Sequence, residues 1–429
     1  MAIRPTSQNS PLETENQGNH PSSAIPSVGI DGLSFYVPGQ YLPLEELAKA
    51  RDVDVGKFHT GLGQEKMAVL SPDEDIITLA AEAARPLLTD IDLSSLDAVI
   101  LATESGVDQS KAGAIYIHGL LDLPSSCKAF EVKQACCSST AALQMALATV
   151  TLKPTKRILV IASDVARYGI LSAGEPTQGA GAVAIMVSAN PRLIAMDPED
   201  GSYTRDVMDF WRPNYRDEAL VDGKYSIKIY LEALENAFQS YQNESGRSID
   251  DLYRFCYHLP FTRMGEKAHS FLHKKFGAGK PETFKQIEDS GIYNRQIGNC
   301  YTAALYLAIT SLLENEAEDL SGKRIGLFSY GSGCMGTFFS GKVQAGYRDH
   351  LLTHQHQALL ASREPLSIES YERMYQHALP IDGEEFQNPQ HARGKFRLAG
   401  IEAHRRIYTA DGPDHIPSIT ASAAELVEA

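Results

Sequence analysis

The chain has 429 residues, 43% of them apolar, so it can bury one large core or two fused ones without disulfide or metal support. Its 54 acidic side chains outnumber 39 basic ones, giving a formal net charge of −15. A field of that sign repels polyanions and argues against nucleic acid or anionic membranes as partners.

The cysteine pattern and the apolar runs constrain the compartment. No apolar run reaches the roughly 18 residues of a membrane helix, and the first 25 residues lack a signal-peptide layout. The spacing of the six cysteines fits neither a small disulfide-bonded domain nor a paired CxxC zinc site. We therefore expect a cytoplasmic protein without a structural metal. The cysteines are Cys127, Cys136, Cys137, Cys256, Cys300 and Cys334.

Four segments follow along the chain. Residues 1–26 are rich in Ser, Asn, Gln and Pro and predict a disordered tail. Residues 27–195 alternate short apolar runs with longer amphipathic stretches, and residues 196–410 repeat the theme. This alternation indicates a layered α/β fold of two similar halves. Residues 411–429 are rich in Pro, Ser, Ala and Glu and predict a flexible tail.

One local match supports an internal repeat. Residues 140–143 and 302–305 both read Thr-Ala-Ala-Leu, and each opens an apolar helix after a polar turn. In this alignment Gly298 stands where the first half has Cys136. Four shared residues can also be coincidence, so the match suggests the repeat without proving it.

The segment LDAVILATES ends a predicted buried strand with Glu104 close to its tip. A carboxylate at the C-terminal end of a buried strand commonly faces a functional cleft. Partial burial would raise its pKa toward the range useful for proton abstraction. A solvated Glu at a strand end explains the position equally well.

The segment AFEVKQACCSSTAALQMALATV predicts a strand, a turn and a helix from about Ser138. At such a turn, the helix dipole and backbone N–H groups would lower the pKa of Cys136 and stabilise an oxyanion. Both effects favour an acyl-cysteine, although most free cysteines are simply core residues. Cys137 is interpreted as packing, because adjacent side chains point in different directions.

His258 lies in FCYHLPFTRMGEKAH at the end of an apolar strand, where it could hydrogen-bond a thioester carbonyl. A core histidine is the alternative. The Gly-rich stretches match neither GxGxxG nor GxxxxGK[ST] in the required setting, so close backbone packing explains them better than a phosphate loop.

Eight segments between about Val28 and Gly346 resemble, in order, the HMG-CoA synthases, a family of thiolase-like condensing enzymes. The shared order argues against chance agreement. The resemblance implies a thiolase-like layered αβαβα fold of two pseudo-repeated halves. The segments are ATES, EVKQACCSSTAAL, ASDVARY, GEPTQGAGAVA, DFWRP, HLPFTRMG, YNRQIGNCYTAALY and FSYGSG.

By this resemblance, Cys136 is the acylated nucleophile, Glu104 the general acid/base and His258 the residue that holds the acceptor thioester and keto group. One departure is Cys137, which stands where family members often carry Tyr, and it leaves the shape of the neighbouring pocket open. Further residues would line the acyl pocket or support the catalytic three: Asp164, Tyr168, Asp209, Asn299, Tyr301, Tyr330 and Ser332.

The implied reaction begins with acetyl transfer from a carrier thiol to Cys136. Glu104 then removes a proton from the acetyl methyl group, and the enolate attacks the ketone of a β-ketoacyl thioester. Water finally hydrolyses the Cys136 thioester. The resemblance implies no permanently bound cofactor and no metal, with acyl groups delivered on phosphopantetheine or coenzyme A.

The family runs this reaction in two settings. Some members use acetyl-CoA and acetoacetyl-CoA in the mevalonate pathway, whereas others take acetyl from a donor acyl carrier protein and β-branch a polyketide on an acceptor carrier protein. The stretch DFWRPNYRDEALVDGKYSIKIYLEAL resembles the second group more closely, and Arg263 stands where CoA users often have Lys. Arg263 and Lys267 are therefore candidates for contacting an acidic carrier or a CoA phosphate. β-Branching is the preferred interpretation.

Two other classes of function stay open for this chain. A thiolase or ketoacyl synthase relative would share the fold and nucleophile, but its second catalytic His or Cys is not found in the expected C-terminal setting. An inactive scaffold that only binds carrier proteins is the other, and the joint presence of Cys136, Glu104 and His258 argues against it. By analogy with the fold we expect a homodimer formed through the strand and helix around the nucleophile.

Overall fold

A mixed sheet of nine strands runs through the computed structural model, which describes residues 26–277 and 284–413. The predicted tails at residues 1–26 and 411–429 lie outside these ranges, apart from residue 26 and residues 411–413.

The described strands and helices follow one another along the chain in the alternation that the sequence predicts. The strands are β1 (Val28–Tyr36), β2 (Gln40–Pro43), β3 (Lys66–Val69), β4 (Leu96–Ala102), β5 (Lys128–Val132), β6 (Arg157–Ala166), β7 (Gly179–Ala189), β8 (Ile194–Thr204), β9 (Phe210–Trp211), β10 (Leu220–Val221), β11 (Arg254–Tyr257), β12 (Arg324–Gly331), β13 (Met335–Val343), β14 (Glu364–Pro365), β15 (Phe386–Gln387), β16 (Arg397–Glu402) and β17 (Arg405–Thr409). The helices are α1 (Leu44–Ala50), α2 (Ile76–Leu88), α3 (Gly113–Leu120), α4 (Ser138–Leu152), α5 (Gly223–Ser245), α6 (Met264–Phe276), α7 (Ile292–Ile297), α8 (Ala304–Asn315), α9 (Thr353–Ala361) and α10 (Ile368–Tyr375).

The large sheet has the order β11-β12-β13-β8-β1-β7-β6-β4-β5. Its two halves meet where β1 pairs antiparallel with β8, through Gly29 opposite Ala195 and Ile30 opposite Ile194. In one half β4 lies parallel to both β5 and β6, and in the other β11 lies parallel to β12. The central strands are apolar on both faces, as expected for strands covered by helices on both sides.

The two halves share their arrangement. The antiparallel pair β6–β7 corresponds to β12–β13, and α4 and α8 precede β6 and β12 in the same way. The Thr140 hydroxyl of α4 lies 2.9 Å from the Tyr306 hydroxyl of α8, so these helices meet between the halves. Helix α2 packs on the opposite face, where the Ser163 hydroxyl donates to the Ile76 carbonyl at 2.7 Å. The predicted thiolase-like layered α/β fold is confirmed.

Gly298 explains why the second half has no nucleophile at the position matching Cys136. Its φ of +93° lies in the left-handed region that favours glycine. A Cβ atom there would also collide with the Gln178 carbonyl. The repeat therefore keeps the turn but uses it for backbone packing.

One segment passes a test of length and average hydropathy for a membrane helix, although Ser, Thr and Gln interrupt its apolar residues. Ala135–Leu152 is 18 residues long and apolar enough for a crossing. Half of it is buried, and α4 packs against β4, β6 and β7. A helix at the centre of a layered fold is apolar on most sides, which accounts for the pattern.

Candidate active site

The ends of two parallel strands bring Cys136 and Glu104 together. Glu104 follows β4 and Cys136 follows β5, and the carboxyl ends of parallel neighbours lie at the same edge of a sheet. The Cys136 thiol donates a hydrogen bond of 2.9 Å to Glu104 Oε1. As predicted, α4 begins at Ser138, directly after the turn that carries the cysteine.

The pKa of Cys136 is shifted in the direction opposite to the prediction. Burial raises the pKa of the Cys136 thiol well above its usual value, and the charges of Glu104 and Asp164 raise it further. The start of α4 cannot offset the loss of water around a thiol that is only 8% exposed. The resting thiol is protonated, so its activation requires a base.

Glu104 has the properties of that base. Burial is the main reason that its pKa rises to about 8, and the neighbouring Asp164 carboxylate adds to the rise. The hydrogen bond from Cys136 and the charge of Arg212 act in the opposite direction. The predicted rise in the pKa of Glu104 is thus present, and the carboxyl can both take and return a proton near neutral pH.

Asp164 ties the base to the second half of the fold. Its Oδ1 accepts hydrogen bonds from the Thr103 hydroxyl at 2.8 Å and from the Glu104 backbone N–H at 3.0 Å. Its Oδ2 accepts from the Thr302 N–H at 3.1 Å and from the Thr302 hydroxyl at 2.6 Å. One buried carboxylate therefore fixes the main chain of Glu104 against the turn before α8.

An aromatic pocket encloses Cys136. The rings of Tyr168, Phe210 and Tyr301 lie edge to face, with centroids 5.6 to 6.3 Å apart. They form one buried apolar cluster with Cys136. Asn299 Oδ1 accepts the Tyr301 N–H at 2.9 Å and fixes a residue whose φ is +42°. Of these rings, Phe210 also lines the cavity that Glu104 borders.

Asp209 and Tyr330 are buried next to the loop that carries Ser332. The Tyr330 hydroxyl donates to Asp209 Oδ2 at 2.7 Å, and the Gly333 N–H donates to Asp209 Oδ1 at 2.9 Å. Ser332 and Glu104 line the same cavity, whose volume is about 900 Å³. Glu104 is therefore in direct contact with this cavity.

His258 directly follows β11 and is 3% exposed. Burial lowers the pKa of His258 to about 3, so the imidazole is neutral. Its Nδ1 is buried and has no hydrogen-bond partner among the described residues. The ring of Tyr230 lies 6.5 Å from that of His258 and 5.0 Å from that of Tyr330, so Tyr230 connects the histidine with the hydrogen-bonded pair Tyr330 and Asp209.

The candidate carrier-binding residues lie apart from this cavity, at the start of α6. Arg263 Nη1 donates to the Thr60 carbonyl at 2.8 Å, and its Nη2 forms an ion pair of 2.6 Å with Glu266. Lys267 Nζ lies 4.8 Å from the centre of the Phe261 ring. Neither residue is among those that line the cavity beside Glu104.

Two contacts to the site were missed from sequence. Arg212 Nη2 donates to the Glu104 carbonyl, and Thr302 holds Asp164. The sequence offered two indications: Arg212 is a cation three residues after Asp209 in DFWRP, and Thr302 is the polar residue of the repeated Thr-Ala-Ala-Leu.

Among the described residues, no cluster of His, Cys, Asp and Glu is arranged to hold a metal ion.

Known proteins resemble this chain over most of its length. Residues 25–192 match the family model for the hydroxymethylglutaryl-coenzyme A synthase N terminal part, and residues 194–278 and 271–409 match that for the C terminal part. A hydroxymethylglutaryl-CoA synthase of Enterococcus faecalis is 43% identical over 357 residues, which cover 83% of this chain and 93% of that protein. A polyketide biosynthesis 3-hydroxy-3-methylglutaryl-ACP synthase of Bacillus subtilis is 36% identical over 372 residues, covering 81% and 88%.

Solved structures agree in fold. An HMG-CoA synthase complexed with CoA has a TM-score of 0.86 at 40% identity and covers 90% of this chain and all of its own. The HMG synthase of the curacin biosynthetic pathway, in complex with its acetyl donor-ACP, has a TM-score of 0.84 at 34% identity, covering 89% and 99%. With both halves matched and a thiol poised on a carboxylate, the chain belongs to the hydroxymethylglutaryl-CoA synthase family of acyltransferases.

Proposed function

We propose that Cys136 carries an acetyl group that the enzyme joins to the ketone of a β-ketoacyl thioester, with Glu104 as acid and base. The observation that carries this proposal is the 2.9 Å hydrogen bond from the Cys136 thiol to Glu104, inside a pocket of aromatic rings. A protonated nucleophile in contact with a carboxyl of pKa about 8 suits a reaction that moves protons in both directions.

In the first step, Cys136 passes its proton to Glu104 as the sulfur attacks the acetyl thioester. The carbon–sulfur bond to the carrier breaks, and the departing thiolate takes the proton from Glu104. The carrier thiol leaves, an acetyl-Cys136 thioester remains, and Glu104 is again a carboxylate.

In the second step, Glu104 removes a proton from the acetyl methyl group, and the enolate carbon attacks the acceptor ketone. The new alkoxide takes the proton back from Glu104. Neutral His258, with its buried and unpartnered Nδ1, donates a hydrogen bond to an acceptor oxygen and holds the ketone for attack. Water then cleaves the Cys136 thioester, leaving a free carboxylate and the thiol.

The carrier of the acyl groups defines the pathway. We propose β-branching of a chain on an acyl carrier protein, supported by the DFWRPNYRDEAL stretch, by Arg263 and by the likeness to the curacin pathway synthase. Arg263 and Lys267 would face the acidic carrier. The 43% identity to the Enterococcus faecalis enzyme supports the second candidate, condensation of acetyl-CoA with acetoacetyl-CoA.

Intact-mass spectrometry after incubation with acetyl-CoA, or with an acetylated donor carrier protein, tests both the acetyl-Cys136 mechanism and the identity of the acetyl donor. Acetylation from the carrier but hardly from acetyl-CoA supports β-branching, and rapid acetylation from acetyl-CoA supports the mevalonate reaction. A Cys136→Ala variant is the control. Absence of Cys136-dependent acetylation from either donor would refute the mechanism and leave the inactive scaffold as the explanation.

We also propose a homodimer formed through the edge strand β5. This strand ends the large sheet, and apolar side chains around it are exposed to between 37% and 84%: Ile115, Phe130, Met145 and Leu152. A second copy that pairs with β5 would cover them. Sedimentation should give a dimer that Met145→Glu dissociates and Ile381→Glu, at a fully exposed isoleucine elsewhere, does not. A monomeric wild type at micromolar concentration would contradict this interface.

A further inference from the structure

Tyr375 of helix α10 lies 207 residues after Tyr168 in sequence, yet the helix holds the segment that carries Tyr168. We propose that Tyr371 and Tyr375 of α10 are positioning residues that fix Tyr168 and thereby limit the acyl group on Cys136 to acetyl. The inference rests on the proposed function, because it assumes that the pocket beside Cys136 receives the acyl group.

Tyr375 holds the carbonyl side of Tyr168. Its hydroxyl lies 2.6 Å from the Tyr168 carbonyl oxygen and 2.7 Å from Glu218 Oε1, so its single proton is shared between two acceptors. Arg167, the residue before Tyr168, holds the main chain of Tyr375 in turn, since its Nη2 donates to the Tyr375 carbonyl at 2.6 Å. The Arg167 guanidinium also lies 4.3 Å from the centre of the Tyr375 ring.

Tyr371 holds the backbone N–H of Tyr168 through the side chain of Gln178. The Tyr168 N–H donates to Gln178 Oε1 at 2.8 Å, and Gln178 Nε2 donates to the Tyr371 hydroxyl at 2.8 Å. That hydroxyl donates in turn to Glu175 Oε1 at 3.1 Å. Arg51 fixes Glu175 with two hydrogen bonds of 2.8 and 3.1 Å. The chain of contacts is buried from Gln178 to Glu175.

The spacing in the helix explains how two tyrosines reach one loop. Tyr371 and Tyr375 are four residues apart, so their side chains project from the same face of α10. Gly174 approaches the other side of the Tyr168 ring so closely that even a Cβ atom there would lie 2.8 Å from it. Both main-chain groups of Tyr168 are held, and its ring packs against Phe210 and Tyr301 beside the sulfur.

The inference therefore predicts a change in acyl selectivity without loss of the nucleophile. Tyr375→Phe keeps the ring over Arg167 but removes the hydroxyl that holds the Tyr168 carbonyl. Loss of one such hydrogen bond lets the ring move, and we expect the ratio of acetyl to propionyl transfer rates to fall by about three- to tenfold. The value of kcat for acetyl transfer should fall while KM for the donor stays within about twofold.

The test compares transfer from acetyl and propionyl donors to Cys136 by intact mass, using the carrier or CoA form that acetylates the wild type. Tyr371→Phe provides a second variant that acts through Gln178, so the inference can be judged if one variant does not fold. Tyr253→Phe is the matched control, because it also removes a hydroxyl bound to a glutamate, at the far end of β11.

A lowered acetyl preference in either folded α10 variant, absent from Tyr253→Phe, supports the inference. Wild-type selectivity in both folded variants overturns it, and so does an equal loss of selectivity in Tyr253→Phe. If neither α10 variant folds, these hydroxyls are structural supports and the assignment to selectivity is likewise overturned. A wild type that is not acetylated at Cys136 would instead refute the proposed function, so the two failures are distinguishable.

Discussion

The thiol of Cys136 and the carboxyl of Glu104 share a hydrogen bond of 2.9 Å between the ends of neighbouring parallel strands. Burial raises the pKa of Glu104 to about 8 and that of the Cys136 thiol well above its usual, already higher value, so the sulfur keeps its proton and the thiol depends on its neighbour for activation. This dependence distinguishes the pair from a cysteine that is activated by a helix dipole alone.

Replacing the base tests this dependence directly. We expect Glu104→Gln to reduce acetylation of Cys136 by about 10²- to 10⁴-fold, because Glu104 is the hydrogen-bond acceptor of the thiol and no second one is found among the described residues. Single-turnover mass spectrometry measures the rate. Glu314→Gln is the control, since Glu314 is a buried carboxyl near the C-terminal end of α8, bound to His356 and Tyr293. Rapid acetylation of Glu104→Gln would contradict the assignment.

The pH dependence follows from the raised pKa of Glu104. The carboxyl is protonated below about pH 8 and becomes a base above it, so activity should rise with pH. We expect the acetylation rate to climb about tenfold per unit up to pH 8 and then to level off. Rates measured between pH 6 and 9 give the midpoint. A flat or falling profile would show that Glu104 does not limit this step.

Arg212 should lower the midpoint of that profile. Its guanidinium donates a hydrogen bond to the Glu104 backbone carbonyl, and its charge lowers the pKa of the Glu104 carboxyl. In Arg212→Gln we expect the midpoint to move above pH 8 and the rate at pH 7 to fall about two- to fivefold. The exposed Arg205, paired with Glu232, provides the control variant Arg205→Gln. An unchanged midpoint in Arg212→Gln would exclude this electrostatic effect.

Asp164 should act in the opposite direction. Its charge raises the pKa of Glu104, so Asp164→Asn should move the midpoint below pH 8. The amide also turns an N–H group toward the donors of Thr302, and we expect the melting temperature to fall by about 3–6 °C. The pH profile and a thermal melt check both effects. A midpoint that moves upward would contradict the electrostatic argument.

His258 should separate the two halves of the reaction. His258→Ala removes the buried imidazole that we assign to the acceptor but leaves the contact of Cys136 with Glu104 intact. We expect acetylation within about threefold of wild type and condensation reduced at least 10²-fold. Intact mass reports the first step, and chromatographic analysis of released product reports the second. Equal losses in both steps would place His258 elsewhere in the mechanism.

Local sequence patterns were enough to predict the strand ends and the turn at which the candidate catalytic side chains lie. An apolar run that ends at Ala102 predicts a buried strand with Glu104 at its tip, and the run before Ser138 predicts the turn that carries Cys136. His258 follows a third strand in the same way. These positions depend on periodicity and on where a strand or helix stops, and both are properties of neighbouring residues.

The electrostatics and the pocket depend on contacts between distant segments, which no local pattern records. Sequence alone predicted a lowered pKa for Cys136, and only the burial of the thiol beside Glu104 reverses that direction. The pocket rings come from residues 168, 210 and 301, and their support from α10 has no indication in the sequence. A segment's own residues determine whether it forms a strand or a helix, whereas desolvation and ring packing are determined by what the folded chain places against them.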